Sequence, residues 1–180
     1  MELQPPLVEE DVRRLKIGDV VYVSGEVVAV RDRTQARILE FIRAGRKLPV
    51  RLEGGVLFHC GPLVRKVGEG WEVIAAGPTT SWRMSDTTPE LLEKLEIRAI
   101  IGKGGMSAAV KEAMRKHGAV YLAMTGGCGA LAAEHLRVKE MHWADLATEA
   151  LWVFHAEKLG PLLVAVDAHG NDLYERKKSR

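Results

Sequence analysis

The second half of this 180-residue chain alternates between helical and strand periodicities, and that alternation constrains its fold more than any other feature. Thr88 to Leu95 reads as a short helix, with Thr88 as its N-cap and Pro89 at the first helical position, where the missing N–H has no intrahelical partner to lose. Ile97 to Ile101 reads as a buried strand. Ser107 to His117 has amphipathic spacing and is closed by Gly118, a residue suited to the left-handed turn that ends a helix. Ala119 to Met124 is a second buried strand, and Gly129 to Leu136 a further helix. Strand and helix in alternation predict a partly parallel sheet with right-handed crossovers, and hence an α/β fold.

The first half reads as mostly β. Asp19 to Val30 is rich in β-branched residues and broken by Gly25, which predicts two short strands or one strand bent at a bulge. Thr34 to Ala44 shows helical spacing through Ile38, Phe41 and Ile42, with Gly45 as its stop. Val56 to Cys60 and Trp71 to Ala76 read as strands. Each ends in a Gly-Pro pair, Gly61-Pro62 and Gly77-Pro78, and proline is poorly tolerated inside a central strand. Leu151 to Ala156 fits helix or strand. Leu162 to Asp167 is a strand, turned at Gly170-Asn171.

Composition narrows the function. With 47% hydrophobic and 28% charged residues, the chain has the make-up of an ordinary globular domain, and its length can bury a sizeable core. A single domain over residues 1–174 is expected, followed by a basic, solvated tail at 175–180. A formal charge of +2 and 6% aromatic residues argue against a nucleic-acid surface. No apolar stretch approaches the roughly 20 residues that span a bilayer, and the first residues lack signal-peptide character. Cys60 and Cys128 form no CxxC pair, so a reduced, cytoplasmic protein is expected.

Two glycine-rich turns carry the chemistry. In Gly77-Pro78-Thr79-Thr80-Ser81-Trp82-Arg83-Met84, a strand ends and hydroxyl residues are placed to cap a helical turn, where free N–H groups attract carboxylate or phosphate. Thr79 and Arg83 are four apart, hence on one face of such a turn. Arginine can hold a carboxylate through two parallel hydrogen bonds. The alternative is a plain capped turn with Arg83 paired to Asp86. Gly102-Lys103-Gly104-Gly105 lies between a strand and a helix, where ligands collect in parallel sheets, and it lacks the pattern of a Walker A loop. It can equally be a turn with a solvated lysine. Arg31-Asp32-Arg33 is a weaker candidate, with Asp32 placed to cap a helix and hold an arginine.

Other motifs carry less. Gly127 to Ala132 matches GxGxxA, with Asp145 at about the distance of a ribose-binding acid. Close helix–sheet packing explains that match better than a nucleotide does. His59, His117, His135, His142, His155 and His169 show no metal-ligand spacing, and two separated cysteines are too few for an iron–sulfur cluster.

Together, Ser24-Gly25, Arg31-Asp32, Phe58 to Pro62, Gly77 to Met84, Ile101 to Gly105, Gly126-Gly127, Gly160-Pro161 and Asp167 to Asn171 resemble the β subunit, or C-terminal domain, of class I iron–sulfur hydro-lyases, the fumarate hydratases and L-tartrate dehydratases. The resemblance implies a swivelling β/β/α domain with a mixed, partly parallel sheet. It implies docking on an α subunit that carries a [4Fe–4S] cluster, with no cluster on this chain, and reversible hydration of fumarate to L-malate, with L-tartrate as the alternative substrate. Substrate contacts implied by the resemblance fall on Arg31, Thr79, Arg83 and Lys103, with Thr79 near the proton that is exchanged. One position departs from the pattern: where the family has a histidine three residues after the aspartate of Arg31-Asp32, this chain has Gln35, which hydrogen-bonds but does not titrate. Rival readings are a nucleotide-binding module built on the Gly127 turn and a non-catalytic interaction domain.

Overall fold

A computed structural model describes residues 1–175; the basic tail, from residue 176 onward, lies outside the described residues. Nine strands, five α-helices and two 3-10 segments follow one another among the described residues. Strands β1 (Glu2–Leu3), β2 (Val20–Val30), β3 (Val56–His59), β6 (Ala99–Gly102), β7 (Val120–Ala123), β8 (Leu136–His142) and β9 (Leu151–Val166) form one sheet in the order β1-β2-β3-β6-β7-β9-β8. Strands β4 (Leu63–Val67) and β5 (Gly70–Ala75) form a separate antiparallel hairpin.

The central strands β2, β3, β6 and β7 are parallel. Helices α2 (Asp32–Arg43), α3 (Thr88–Leu95) and α4 (Ala108–His117) lie in the connections between them. Strand β9 then pairs antiparallel with both β7 and β2, from Tyr121↔Val166 at one end to Ala29↔Trp152 at the other. The sheet therefore closes on itself through β2, β3, β6, β7 and β9. Closure leaves the central strands without a free edge, the feature that otherwise invites aggregation.

Side-chain alternation divides the core in two. Val27, Ala29, Phe58, Ile101 and Leu122 point into the closed sheet together with Phe154 and Val164. Their neighbours Val28, Leu57, Ile100 and Tyr121 point outward, against Ile38 and Leu39 of α2, Leu91 and Leu92 of α3, and Val110 and Met114 of α4. A strand buried on both faces has no polar alternation, which is why the parallel strands read as continuous apolar runs.

The predicted elements are found with few changes. Helix α4 has Ser107 as its cap, accepting from Val110 N, and ends at Gly118 with φ 65°. Helix α3 is capped one residue earlier than expected, at Thr87. Asp19 to Val30 is one strand, bent at register shifts flanking Val23. Leu151 to Ala156 and Leu162 to Asp167, taken as separate, belong to a single 16-residue strand. The helix expected to reach Leu136 is α5 (Gly129–Glu134), and Leu136 begins β8. The β4 strand and β8 were not anticipated: their burial alternates irregularly and several of their residues are exposed. No helix among the described residues is long and apolar enough to cross a membrane.

Candidate functional site

The site lies at the C-terminal ends of the parallel strands, where backbone N–H groups and helix starts face outward. Strand β2 ends at Val30 and delivers Arg31, the cap position of α2, followed by Asp32. Strand β3 ends at His59. The chain then leaves the sheet for the β4–β5 hairpin and returns at Pro78, which bridges Cys60. The two Gly-Pro pairs thus bracket an excursion whose roots are adjacent. The returning chain is stitched to the strand ends: Thr79 N donates to His59 O at 2.7 Å, Ser81 N to Lys103 O at 3.0 Å and Lys103 N to Thr79 O at 3.3 Å. The Ser81–Met84 segment is a single 3-10 turn.

This stitching links Thr79, Arg83 and Lys103; Arg31 stands at the end of β2, and no hydrogen bond joins its side chain to the other three among the described residues. Arg83 Nη2 donates to Asp32 Oδ2 at 2.6 Å and lies 3.4 Å from Thr79 Oγ1. The expected alternative partner, Asp86, is not the one used. Asp32 also does not cap its own helix: Glu149 does so by accepting from Arg33 N at 2.8 Å. Asp32 is thereby free to orient Arg83. Arg31 lies across Gly61, where an added Cβ would come within 2.7 Å of its Nη1 and 2.8 Å of its Cδ. Its Nε is buried with no hydrogen-bond partner among the described residues. Lys103 runs toward the turn after β7, its Nζ 3.9 Å from the Cβ position of Gly126. Among the described residues Arg83 pairs with Asp32, whereas Arg31 and Lys103 form no ion pair.

The set is open to solvent. Thr79, Arg31 and Lys103 are half-buried and Arg83 is exposed. Beneath it the surroundings are dry. His59 is fully buried, and burial pushes its pKa down to about 3 against the opposing pull of the Asp32 carboxylate, so the imidazole is neutral. Burial likewise pushes the Cys60 thiol up to about 12, only partly offset by Arg31. Three cationic groups over neutral polar neighbours and one carboxylate have the charge to attract a small polyanion.

Sequence reasoning missed His59 and Tyr121 as partners of the site because each sits in an apolar run and is fully buried, while Ser81, read as a capping hydroxyl of the turn, is fully buried and bonds His59 and Tyr121 instead. Gln35, the one departure from the family pattern, is not in the cleft. Gln35 is fully buried behind the turn and bonded to His59. The GxGxxA turn serves packing: an added Cβ at Gly129 would lie 3.1 Å from Gly77 N and 3.3 Å from Gly77 Cα. Asp145, its supposed ribose acid, instead holds Arg37 through two bonds of 2.8 and 2.7 Å.

Sequence comparison places the chain in a family. The sequence model of the Fumarase C-terminus family matches residues 1–177. The chain belongs to the Fumarase C-terminus family. Within reach of it, a putative L(+)-tartrate dehydratase subunit beta of Methanocaldococcus jannaschii is 40% identical over 172 residues, spanning 94% of this chain and 88% of the relative. The L(+)-tartrate dehydratase subunit beta of Escherichia coli K12 is 38% identical over 178 residues, spanning 98% and 87%. A putative fumarate hydratase class I of Geobacillus stearothermophilus is 38% identical over 178 residues, but there the match spans 96% of this chain and 33% of the relative. The family fold thus occurs both in proteins of about this length and as one third of a longer one.

An iron–sulfur cluster does not fit this chain's side chains. Cys60 is buried with its thiol held protonated, Cys128 donates to Thr125 O at 2.7 Å, and no group of three or more His, Cys, Asp or Glu among the described residues is arranged to hold a metal.

Proposed function

We propose that this chain is the substrate-clamping β subunit of an iron–sulfur hydro-lyase that interconverts L-malate and fumarate, active only with an α subunit. The observation that carries the reading is Arg83, oriented by Asp32 with Thr79 beside it, on a turn stitched to Lys103, with Arg31 at the neighbouring strand end. In this reading the [4Fe–4S] cluster sits on the α subunit. The work left to this chain is charge neutralisation, orientation and proton handling at the bound acid.

A dicarboxylate has two charges to neutralise, and this chain offers three cations in different states of engagement. Arg31 and Lys103, unpaired within the described residues, take the carboxylates. Arg83 is held in place by Asp32, so it acts as a fixed dipole and charge at the reacting end. Removing the proton next to a carboxylate drives charge onto that carboxylate, and pre-oriented donors stabilise such charge without reorganising. Thr79 Oγ1, 3.4 Å from the Arg83 guanidinium, is the hydroxyl placed to accept or return that proton. To take up that proton Thr79 must first release its own to solvent, and the neighbouring guanidinium lowers the cost of the resulting alkoxide.

The test is co-expression with an α subunit, purification without oxygen, and measurement of fumarate absorbance on adding L-malate. Turnover that needs both chains and is lost in Arg83→Ala supports the reading; turnover unaffected by Arg83→Ala refutes the clamp. Thr79→Ala is expected to lower kcat more than it raises KM, and a change in KM alone rejects the proton-handling role.

A second reading, L-tartrate dehydration, is favoured by the names of the Methanocaldococcus and Escherichia relatives, of which this chain spans 88% and 87%. The same cations would hold tartrate, and activity on L-tartrate without activity on L-malate would move the assignment there.

A further inference from the structure

Beneath the clamp runs a file of hydrogen-bonded side chains contributed by separate elements. Thr87 Oγ1 donates to Gln35 Oε1 at 2.6 Å. Gln35 Nε2 lies 2.9 Å from His59 Nε2, and His59 Nδ1 lies 2.9 Å from Ser81 Oγ. Tyr121 OH donates to the same Ser81 Oγ at 3.0 Å. Gln35, His59, Ser81 and Tyr121 are all fully buried. Burying polar groups costs free energy unless each is paired, and apolar side chains of the same size would pack there without that risk. What a fully paired network adds is a defined geometry.

The file has a direction. The Thr87 hydroxyl has two acceptors in reach, Gln35 Oε1 at 2.6 Å and Met84 O at 3.1 Å, and the shorter bond turns the Gln35 oxygen toward Thr87 and the amide NH2 toward His59. An NH2 group only donates, so His59 Nε2 accepts and the ring carries its proton on Nδ1. That proton points at Ser81. The two lone pairs of Ser81 Oγ are then filled by His59 and Tyr121. Ser81 has little room to move: an added Cβ at Gly102 would lie 1.9 Å from its Oγ. Ser81 also stands midway between Thr79 and Arg83, with its N–H on Lys103 O. A shift of Ser81 therefore moves three of the four clamp residues.

We propose that His59 is a positioning residue: with its tautomer set by Gln35, its Nδ1–H holds Ser81 and thereby fixes the spacing of Thr79, Arg83 and Lys103. The catalytic consequence rests on the hydro-lyase reading, while the geometric role does not. The inference also gives Gln35 a function. It governs a ring behind the clamp and does not replace an acid–base group within it.

Two substitutions separate the ends of the imidazole. His59→Asn keeps an N–H donor where Nδ1 stands. His59→Gln reaches instead to the Nε2 position and leaves Ser81 without its donor. Nitrogen–proton correlation spectra of the full chain are expected to show His59 protonated on Nδ1 and bare on Nε2. The amides of Thr79, Ser81 and Lys103 should shift in His59→Gln and return toward the wild-type positions in His59→Asn. In the assembled complex, kcat/KM for L-malate should fall about tenfold or more in His59→Gln and recover most of that loss in His59→Asn. An Nε2-protonated ring in the wild type, or equal effects of the two substitutions, overturns the proposal. If His59→Gln does not fold, Gln35→Leu leaves the ring in place and removes its control. It should bring an Nε2–H signal and shifted turn amides, and spectra unchanged from wild type overturn the proposal equally. Wild-type complex that turns over neither acid, with spectra as expected, sinks the hydro-lyase reading and leaves the positioning role intact.

Discussion

Acidification between pH 8 and pH 5 is expected to destabilise the wild-type chain relative to His59→Asn. His59 is fully buried, and burial lowers its pKa in the folded state to about 3. In the unfolded chain a histidine titrates near about 6.5. The folded value is depressed, so the contribution of the neutral ring is complete above pH 6.5 and is lost as the pH falls toward 3, because the unfolded state gains a proton the native state refuses. At pH 5 the solution lies about 1.5 units below the unfolded pKa, and each unit is worth about 1.4 kcal/mol, so the loss is roughly 2 kcal/mol. For a chain of this size that corresponds to about 4–8 °C in Tm. Carboxylates held low by arginine or lysine neighbours, such as Glu9 and Asp145, also lose their pairing in acid, but they are common to both proteins and cancel in the comparison. The assay is urea unfolding of wild type and His59→Asn at matched pH steps. At pH 8 the variant should be the weaker, having lost the bond to Gln35, and the gap should close or invert by pH 5. A gap that stays constant over this range refutes the argument, since it would mean that the ring takes up its proton without leaving the folded state.

Three shorter predictions address the surroundings. Native protein should react with one equivalent of a thiol reagent, at the half-buried Cys128, while Cys60, buried and pushed up to about 12, should react only after unfolding; fast modification of Cys60 in native protein would contradict its environment. Gly102→Ala should cost about 1–3 kcal/mol by overpacking against Ser81 and also weaken substrate binding, as measured by denaturation and by KM; a neutral change would mean that Ser81 can move freely. Affinity for a dicarboxylate should fall with added salt in wild type and fall less steeply in Lys103→Gln, read from binding isotherms at several ionic strengths.

Much of the fold was legible because the parallel strands are buried on both faces and their helices carry clear ends. Ser107 and Gly118 mark α4 by local chemistry alone, and the structure places both where capping requires. What was illegible depended on closure. Leu151 to Val166 reads as two segments because its partners change along its length: β8 flanks its first half and β7 its last, while β2 accompanies it throughout. No local pattern encodes an exchange of neighbours. The same division holds at the site. Arg83 and Lys103 drew notice as cations on glycine-rich turns, and Arg31 and Thr79 joined them through the family resemblance; their binding of substrate belongs to the proposal. His59 was not legible, because a polar side chain in an apolar run shows its purpose only when its partners, here Gln35 of α2 and Ser81 of the returning turn, are in place.

The excursion between the two Gly-Pro pairs explains why a clamp can be assembled at this end of the sheet at all. A chain crossing directly from β3 to the next helix would leave only one loop over the strand ends. By departing at Gly61 and returning at Pro78, the chain lays a second segment beside the first, with Cys60 and Pro78 bridged at the root. That returning segment has no sheet neighbour of its own, so its polar backbone must be satisfied by the strand ends, and it is: by His59 O from one side and by Lys103 on the other. Thr79 is therefore bonded to the strand ends on both sides although it lies on a turn, and Arg83 follows it in the adjoining 3-10 turn. Asp32 then orients Arg83 from β2's end, and His59 and Tyr121 hold Ser81 from below. A site fastened this firmly to its own scaffold needs no rearrangement to present its cations. Whatever closes over it can contribute the remaining chemistry as a separate rigid body, which is the arrangement a two-subunit hydro-lyase requires.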